Sequence, residues 1–258
     1  MSGGLGLVLS GGGARGAYEV GVLHYIFTDL AAREGRAPDV KVISGTSVGA
    51  VNGTYLAAAI DELPGGAAEM IRLWQGLDLP DVLGFGLRQA AGLYRVLLGG
   101  NQARGIFDPG SLSRIVGQSI RWRKLRQNIK EGRIRALAIS TTNVPTGRPV
   151  LFVDAAPNVS IPASLGIHAL VRRAKIGQHH ILASAAIPLI FPPVEIGNEL
   201  HCDGGLRLNT PMAPCIHLGM DRLLVIGLSS PHSPDEASLQ DGRYPGATFL
   251  LGKVLNAF

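Results

Sequence analysis

An α/β domain with a mainly parallel central sheet is the fold class this sequence predicts, and three observations predict it. Short apolar runs alternate with longer segments of helical spacing. Two successive stretches, beginning at Leu5 and at Asp39, each read strand, glycine-marked turn, helix. With 258 residues, 46% hydrophobic and 17% charged, the chain can bury one large core, so residues 1–258 are read as a single domain.

Leu5–Ser10 is the first buried strand. GGGARG follows, and a helix runs from about Ala14 to Arg33, with Tyr18, Val22, Tyr25, Ile26 and Leu30 at helical spacing. Asp39–Ser44 is the second strand, GTSVG a tight turn, and AVNGTYLAAAI a helix that stops near Pro64 and Gly65. Residues 64–130 read as a helical insertion or lid, with helices around Ala67–Gln75, Leu112–Ser119 and Arg121–Lys130 between Gly- and Pro-marked loops. Strands return at Ile134–Thr141 and Pro149–Asp154, before a helix over about Gly177–Ala186. PPVEIGNELHCDGG predicts two short strands around a Gly197–Asn198 turn. A helix after Pro211 and a strand Leu223–Leu228 follow. An amphipathic helix over about 246–258 keeps its spacing through Phe258 with no stop signal. The natural chain is therefore expected to be longer, with packing on a second copy, a homodimer, as the alternative.

Composition narrows the partners. The net charge is +5, and residues 121–135 hold seven bases and one acid. The segment Arg121–Arg135 is a candidate contact for anionic headgroups, weighed against a solvated helix face. No base-stacking aromatics interleave with it, so no nucleic-acid partner is expected. Two cysteines, Cys202 and Cys215, are too few for a zinc site or a disulfide framework and are read as free thiols in a reducing compartment. No basic leader precedes Leu5–Leu9, and Ile181–Phe191 is broken by Pro188 well short of the ~20 residues a span needs. The protein is expected to be cytoplasmic, with peripheral membrane attachment left open.

The chemistry lies in three loops. Gly45-Thr46-Ser47-Val48-Gly49 is G-x-S-x-G between an apolar strand and a helix, where a sharp turn strains the serine backbone and exposes its Oγ. An ordinary helix cap by Thr46 or Ser47 is the plainer alternative. A serine needs a base, yet His168, His179, His180, His201 and His217 lie in no obviously suitable setting. Asp203 ends the strand ELHCD before Gly204-Gly205, and a partly dry carboxylate there could take the serine proton directly. A turn-forming Asp is the alternative. Gly11-Gly12-Gly13 offers bare amides to an oxyanion. The dinucleotide reading of G-x-G-x-x-G wants an acid at the end of the next strand, where Ser44 stands instead.

Together SGGGARGAYEVGVL, SGTSVGAVNG and CDGGLRLNTP resemble the patatin-like phospholipases, over about residues 5–230 and including ASAAIPLIFPPVEI. The resemblance implies a three-layer α/β/α fold and a Ser–Asp dyad that hydrolyses acyl esters of lipids without metal or organic cofactor. It carries Ser47 over as nucleophile, Asp203 as general base and the amides of Gly11, Gly12 and Gly13 as oxyanion hole. Arg15, Gly16, Gly45, Gly49, Gly204 and Gly205 are supporting positions, and Arg15 orients the loop, draws anionic headgroups or forms a purely structural ion pair. Ser10 stands where many members carry Asp before the triple glycine. The implied substrate is a lipid at a membrane surface. Acyl transfer through the same dyad, a catalytically silent lipid-binding module and a histidine-based esterase are the alternatives. Leu77, Leu79, Val82, Leu83, Phe85 and Leu87 are candidates for an acyl-binding wall or mobile cover, with an ordinary packed core as the alternative.

Overall fold

Period-two side-chain alternation sets the central strands between two apolar layers. Leu7, Leu9, Ile43, Leu137 and Ile139 join one buried cluster, while Val8, Val42, Ala136 and Ala138 join another on the opposite face. The computed structural model describes residues 4–77, 109–162, 169–188 and 190–228. The expected C-terminal helix, the middle of the insertion with Leu79, Val82, Leu83, Phe85 and Leu87, and His168 lie outside the described residues.

Along the chain, β1 (Leu5–Leu9) leads through a single turn at Gly13–Arg15 into α1 (Gly16–Tyr25). A wider, π-type turn at Ile26–Leu30 and α2 (Ala31–Glu34) continue the same rod, which ends at Gly35 in the left-handed conformation, φ 69°. The helix expected over Ala14–Arg33 is thus one rod with changes of winding. Next come β2 (Val40–Thr46), α3 (Val48–Ala59) and α4 (Gly65–Gln75). Beyond them lie α5 (Pro109–Ser119), α6 (Trp122–Lys130), β3 (Ala136–Asn143), β4 (Pro149–Ala155) and β5 (Leu170–Arg173). The chain then forms α7 (Gln178–Ser184), β6 (Val194–Ile196), β7 (Glu199–Asp203), α8 (Ala213–His217) and β8 (Arg222–Ile226). The short edge strand β5 is additional to the sequence reading, because LVRR is half arginine and half-exposed and carries no apolar alternation.

Strand order is β5-β4-β3-β2-β1-β8, with the β6–β7 hairpin attached through β7 to β3. The β1–β2, β1–β8, β2–β3 and β4–β5 pairs are parallel, and β3 pairs antiparallel with both β4 and β7. Helices α1, α3, α4, α5, α6 and α7 feed the larger cluster, and α8 places Cys215 in the smaller one. Helices on both faces of a mainly parallel sheet make the fold a three-layer α/β/α sandwich.

The basic segment is largely committed to this framework. Buried Asn128 on α6 donates from Nδ2 to the Ala57 and Ala58 carbonyls at 3.0 and 3.2 Å, satisfying the C-terminal end of α3. Around it Arg121 pairs with Glu62, Lys124 with Asp61 and Glu62, Arg133 with Asp61 and Glu131, and Arg126 with Asp154. Four of the seven bases in residues 121–135 thus meet acids of this chain, which weakens the segment as a headgroup contact.

Leu137 is fully buried in the larger cluster on the strand that carries most of the sheet pairing. Leu137→Ala should lower unfolding stability by about 2–5 kcal/mol through lost burial and a residual cavity. The midpoint of a urea titration checks this, and a shift worth less than about 1 kcal/mol would contradict the packing described.

Candidate active site

Strand β3 assembles the site. Its residues 136–142 pair along one edge with β4, so β2 and β7 share the other. Parallel β2 ends there with Thr46 beside Ser140, and antiparallel β7 ends with Asp203 beside Thr141. The two strands meet end to end on adjacent residues of one edge. Ser47, the residue after β2, and Asp203, the last of β7, are brought together although 156 positions separate them.

The turn at Ser47 is strained. Its φ is 53° and ψ −122°, and it is the one non-glycine with positive φ among the described residues. The flanking glycines are required by packing: a Cβ on Gly45 would lie 2.4 Å from the Gly49 carbonyl oxygen, and one on Gly49 2.5 Å from that of Leu9. The first turn of α3 therefore lies directly on the start of the glycine loop. Neither Thr46 nor Ser47 caps α3: Thr46 Oγ1 donates to the Leu208 carbonyl at 2.8 Å, and Ser47 makes no side-chain cap bond. The plain helix-cap alternative is thereby removed.

Asp203 is fully buried. Its Oδ1 accepts the Gly205 N–H at 2.6 Å, so the turn-forming reading of D-G-G is correct as local structure. That bond occupies one oxygen only, and Oδ2 is buried with no partner at hydrogen-bonding distance. Burial pushes the Asp203 carboxyl up to about 6, against the opposing pull of the Ser47 hydroxyl and the Gly205 amide. The hydroxyl is thus near enough to favour the carboxylate, while the closed Ser47–Asp203 hydrogen bond is not formed. Gly204 packs against Ser140, and Gly205 carries the amide that orients Asp203.

The glycine loop is only partly available as a set of donors. Gly11 departs from the expectation, because its N–H is engaged with the Asn209 carbonyl at 3.1 Å, and Asn209 Nδ2 returns a bond to the Gly11 carbonyl at 3.3 Å. The Gly12 and Gly13 amides donate to no acceptor among the described residues. Arg15 Nε donates to the Gly12 carbonyl at 3.3 Å, which ties the loop to its own first turn. Ser10 Oγ, buried, accepts the Leu228 N–H at 2.9 Å and so anchors the loop to the chain leaving β8.

Beneath the loop, buried Asn52 joins three elements. Its Nδ2 donates to the Gly16 carbonyl at 3.1 Å and to Glu19 Oε2 at 2.9 Å, and its Oδ1 accepts from Trp74 Nε1 at 3.1 Å. This lashes α1, which follows the glycine loop, to α3, which follows Ser47. Desolvation pushes the Glu19 carboxyl up to about 8.

A cavity of about 550 Å³ opens from Ser47 and Gly13 and runs between α3, α4, α5 and the segment after α7. Val48, Val51 and Tyr55 of α3 line it together with Trp74, Val116 and Phe191, so its walls are predominantly apolar. Leu77 is among its lining residues.

The described histidines make no triad. His201 is fully buried, with Nδ1 3.0 Å from Thr141 Oγ1 and its ring against Phe152. His180 Nδ1 accepts the Gly177 N–H, and desolvation lowers it to about 4. Among the described residues no histidine hydrogen-bonds to Ser47 or Asp203. The thiols of Cys202 and Cys215 are both free and buried.

A family model described as patatin-like phospholipase matches residues 7–216, which hold the glycine loop, the serine turn and Asp203. The chain belongs to the patatin-like phospholipase family. This patatin-like chain is also similar to solved structures. VipD from Legionella pneumophila is 16% identical, with 87% of this chain and 49% of that one covered and a TM-score of 0.49. Full-length ExoU of the Pseudomonas aeruginosa type III secretion system, in complex with SpcU, is 18% identical, with coverage of 74% and 40% and a TM-score of 0.37. A second structure of the type III effector ExoU is 19% identical, with coverage of 72% and 39% and a TM-score of 0.32. The patatin-like chain thus spans about half or less of the length of these proteins. No curated protein matches it. Among its described residues no helix is long and apolar enough to cross a membrane.

Ser184, Ala186, Asn209, Asn52 and Glu19 are the site-organising residues that sequence reasoning missed. All five lie in stretches quoted for the resemblance: Ser184 and Ala186 in ASAAIPLIFPPVEI, Asn209 in CDGGLRLNTP, Asn52 in SGTSVGAVNG and Glu19 in SGGGARGAYEVGVL.

Because the native-state carboxyl of Glu19 lies above its ordinary 4.5, the folded protein holds a proton that the unfolded chain releases, and the associated stability declines as pH rises from about 4.5 to about 8. Glu19→Gln should flatten this decline, so that its urea midpoint gains on wild type between about pH 6 and 8. Parallel curves for the two proteins would refute the assignment.

Proposed function

We propose that this chain is a lipid acyl hydrolase, a phospholipase A-type esterase, working through Ser47 and Asp203. The observation that carries the reading is a strained serine set beside a buried, half-satisfied carboxylate at the mouth of an apolar cavity. Asp203 takes the Ser47 proton as Oγ attacks the ester carbonyl. The amides of Gly12 and Gly13 receive the oxyanion, with Gly11 holding the loop in place rather than donating. The acyl chain lies in the cavity, and the alcohol or lysolipid leaves with the proton from Asp203. Water then attacks the acyl-Ser47 ester, losing its proton to Asp203, and the fatty acid is released as Ser47 regains its hydrogen.

Ser47→Ala and Asp203→Asn should each abolish turnover of a soluble acyl ester while leaving the thermal transition intact. Appreciable activity in either folded variant would remove the dyad. Covalent labelling by a fluorophosphonate, located by peptide mapping, should fall on Ser47 and depend on Asp203. Product analysis with an added acceptor alcohol separates hydrolysis from acyl transfer.

The base must be ionised to act, so kcat/KM for such an ester should rise with pH along an acid limb centred near the Asp203 value of about 6 and level off above it. A flat profile from pH 4.5 to 7.5 would count against Asp203 as the base.

A further inference from the structure

Ser47 sits where neither strand nor helix can hold its amide. The β2–β3 register ends at Thr46, and the φ of 53° takes the next N–H out of the sheet ladder. A buried amide left without a partner at this point would let the serine relax from its strained turn. The partner comes from the last residue of α7: Ser184 Oγ, fully buried, accepts the Ser47 N–H at 2.8 Å. The same hydroxyl donates its one proton to the Ser140 carbonyl at 2.7 Å. Both bonds fix the hydroxyl in one orientation, so it cannot turn its proton toward the Ser47 nitrogen.

Two residues further on, the Ala186 carbonyl accepts the Asp203 N–H at 3.0 Å. One short segment thus grips the backbone of Ser47 through a side chain and that of Asp203 through a carbonyl. It is also tied to Ser140, the β3 residue whose register partner is Thr46 and whose neighbour Thr141 pairs with Asp203.

We propose that Ser184 is a positioning residue for the reaction: with Ala186 it forms a bracket that fixes the separation of Ser47 and Asp203 and holds Ser47 in its strained turn. This rests on the Ser47–Asp203 reading given above. Ser184 touches no reacting atom. Its effect belongs to the chemical step, because the cavity that binds the acyl chain is lined by other residues.

The test compares wild type, Ser184→Ala and Ser44→Ala. Ser44 is a matched control, a fully buried serine on β2 whose hydroxyl has no partner. With a soluble short-chain ester, Ser184→Ala should lower kcat by about 10- to 100-fold, the scale of a small misplacement of reacting groups, with KM within about twofold. The rate of fluorophosphonate labelling at Ser47 should fall in parallel, while Ser44→Ala leaves both rates unchanged. Ser184→Thr, which retains a hydroxyl, should recover most of the loss. Wild-type kcat and labelling rate in folded Ser184→Ala would overturn the bracket while the dyad stands. A loss confined to KM, or an equal loss in Ser44→Ala, would overturn it too by marking general destabilisation. Failure of wild type to label at Ser47 would instead remove the dyad reading, and the bracket with it. Should Ser184→Ala not fold, Ser184→Cys, which fills the site but offers the Ser47 amide only a weak acceptor, is read against the same outcomes.

Discussion

One edge of β3 carries the rest of the site. Because β4 occupies the opposite edge, β2 and β7 have to share this one, the first in parallel and the second in antiparallel register. Their ends meet at Ser140 and Thr141, and the chain must turn away from the sheet at that point in both strands. Those turns hold Ser47 and Asp203. Hydrogen bonds from Thr46 and Ser140 to the Leu208 carbonyl, and from Thr142 to the Asp203 carbonyl, pin the departing chain over the junction. A register slip of one residue on either side would move its partner to the other face of the sheet, so the pairing tolerates little variation.

Electrostatics follow from this geometry. A carboxylate at the inner end of a strand is desolvated by the layers on both sides, and only one of its oxygens is satisfied locally. Its carboxyl rises toward neutrality for that reason, and not through repulsion by a neighbouring acid. Glu19 rises by the same cause and is put to a different use, as an acceptor for Asn52 where α1 meets α3. Asn52 thus joins helices at the cavity, whose wall is predominantly apolar.

Much was legible from local pattern. Both strand–turn–helix units, the Gly197 hairpin and the glycine requirement at Gly45 and Gly49 follow from apolar periodicity and from residues that only suit tight turns. The Asp203 turn is also local, because its side chain accepts from a backbone amide two residues on. Less legible were β5, whose arginines hide a strand, and the basic run, whose charges find Asp61, Glu62 and Asp154 from distant segments. Gly11 shows the limit inside a single motif. Its letters match those of Gly12 and Gly13, but Asn209, 198 positions away, takes its amide.

By itself the sequence determined most element types, their order and the glycine-lined turns around Ser47 and Asp203, since each depends on neighbours within a few positions. Only the tertiary structure decided that Ser47 and Asp203 share one strand edge, that Oδ2 rather than Oδ1 of Asp203 is left unpaired, and that Ser184 accepts the Ser47 amide. These depend on register and pairing between segments far apart in the chain. Such contacts are selected by how whole layers pack, and no short window of residues encodes that choice.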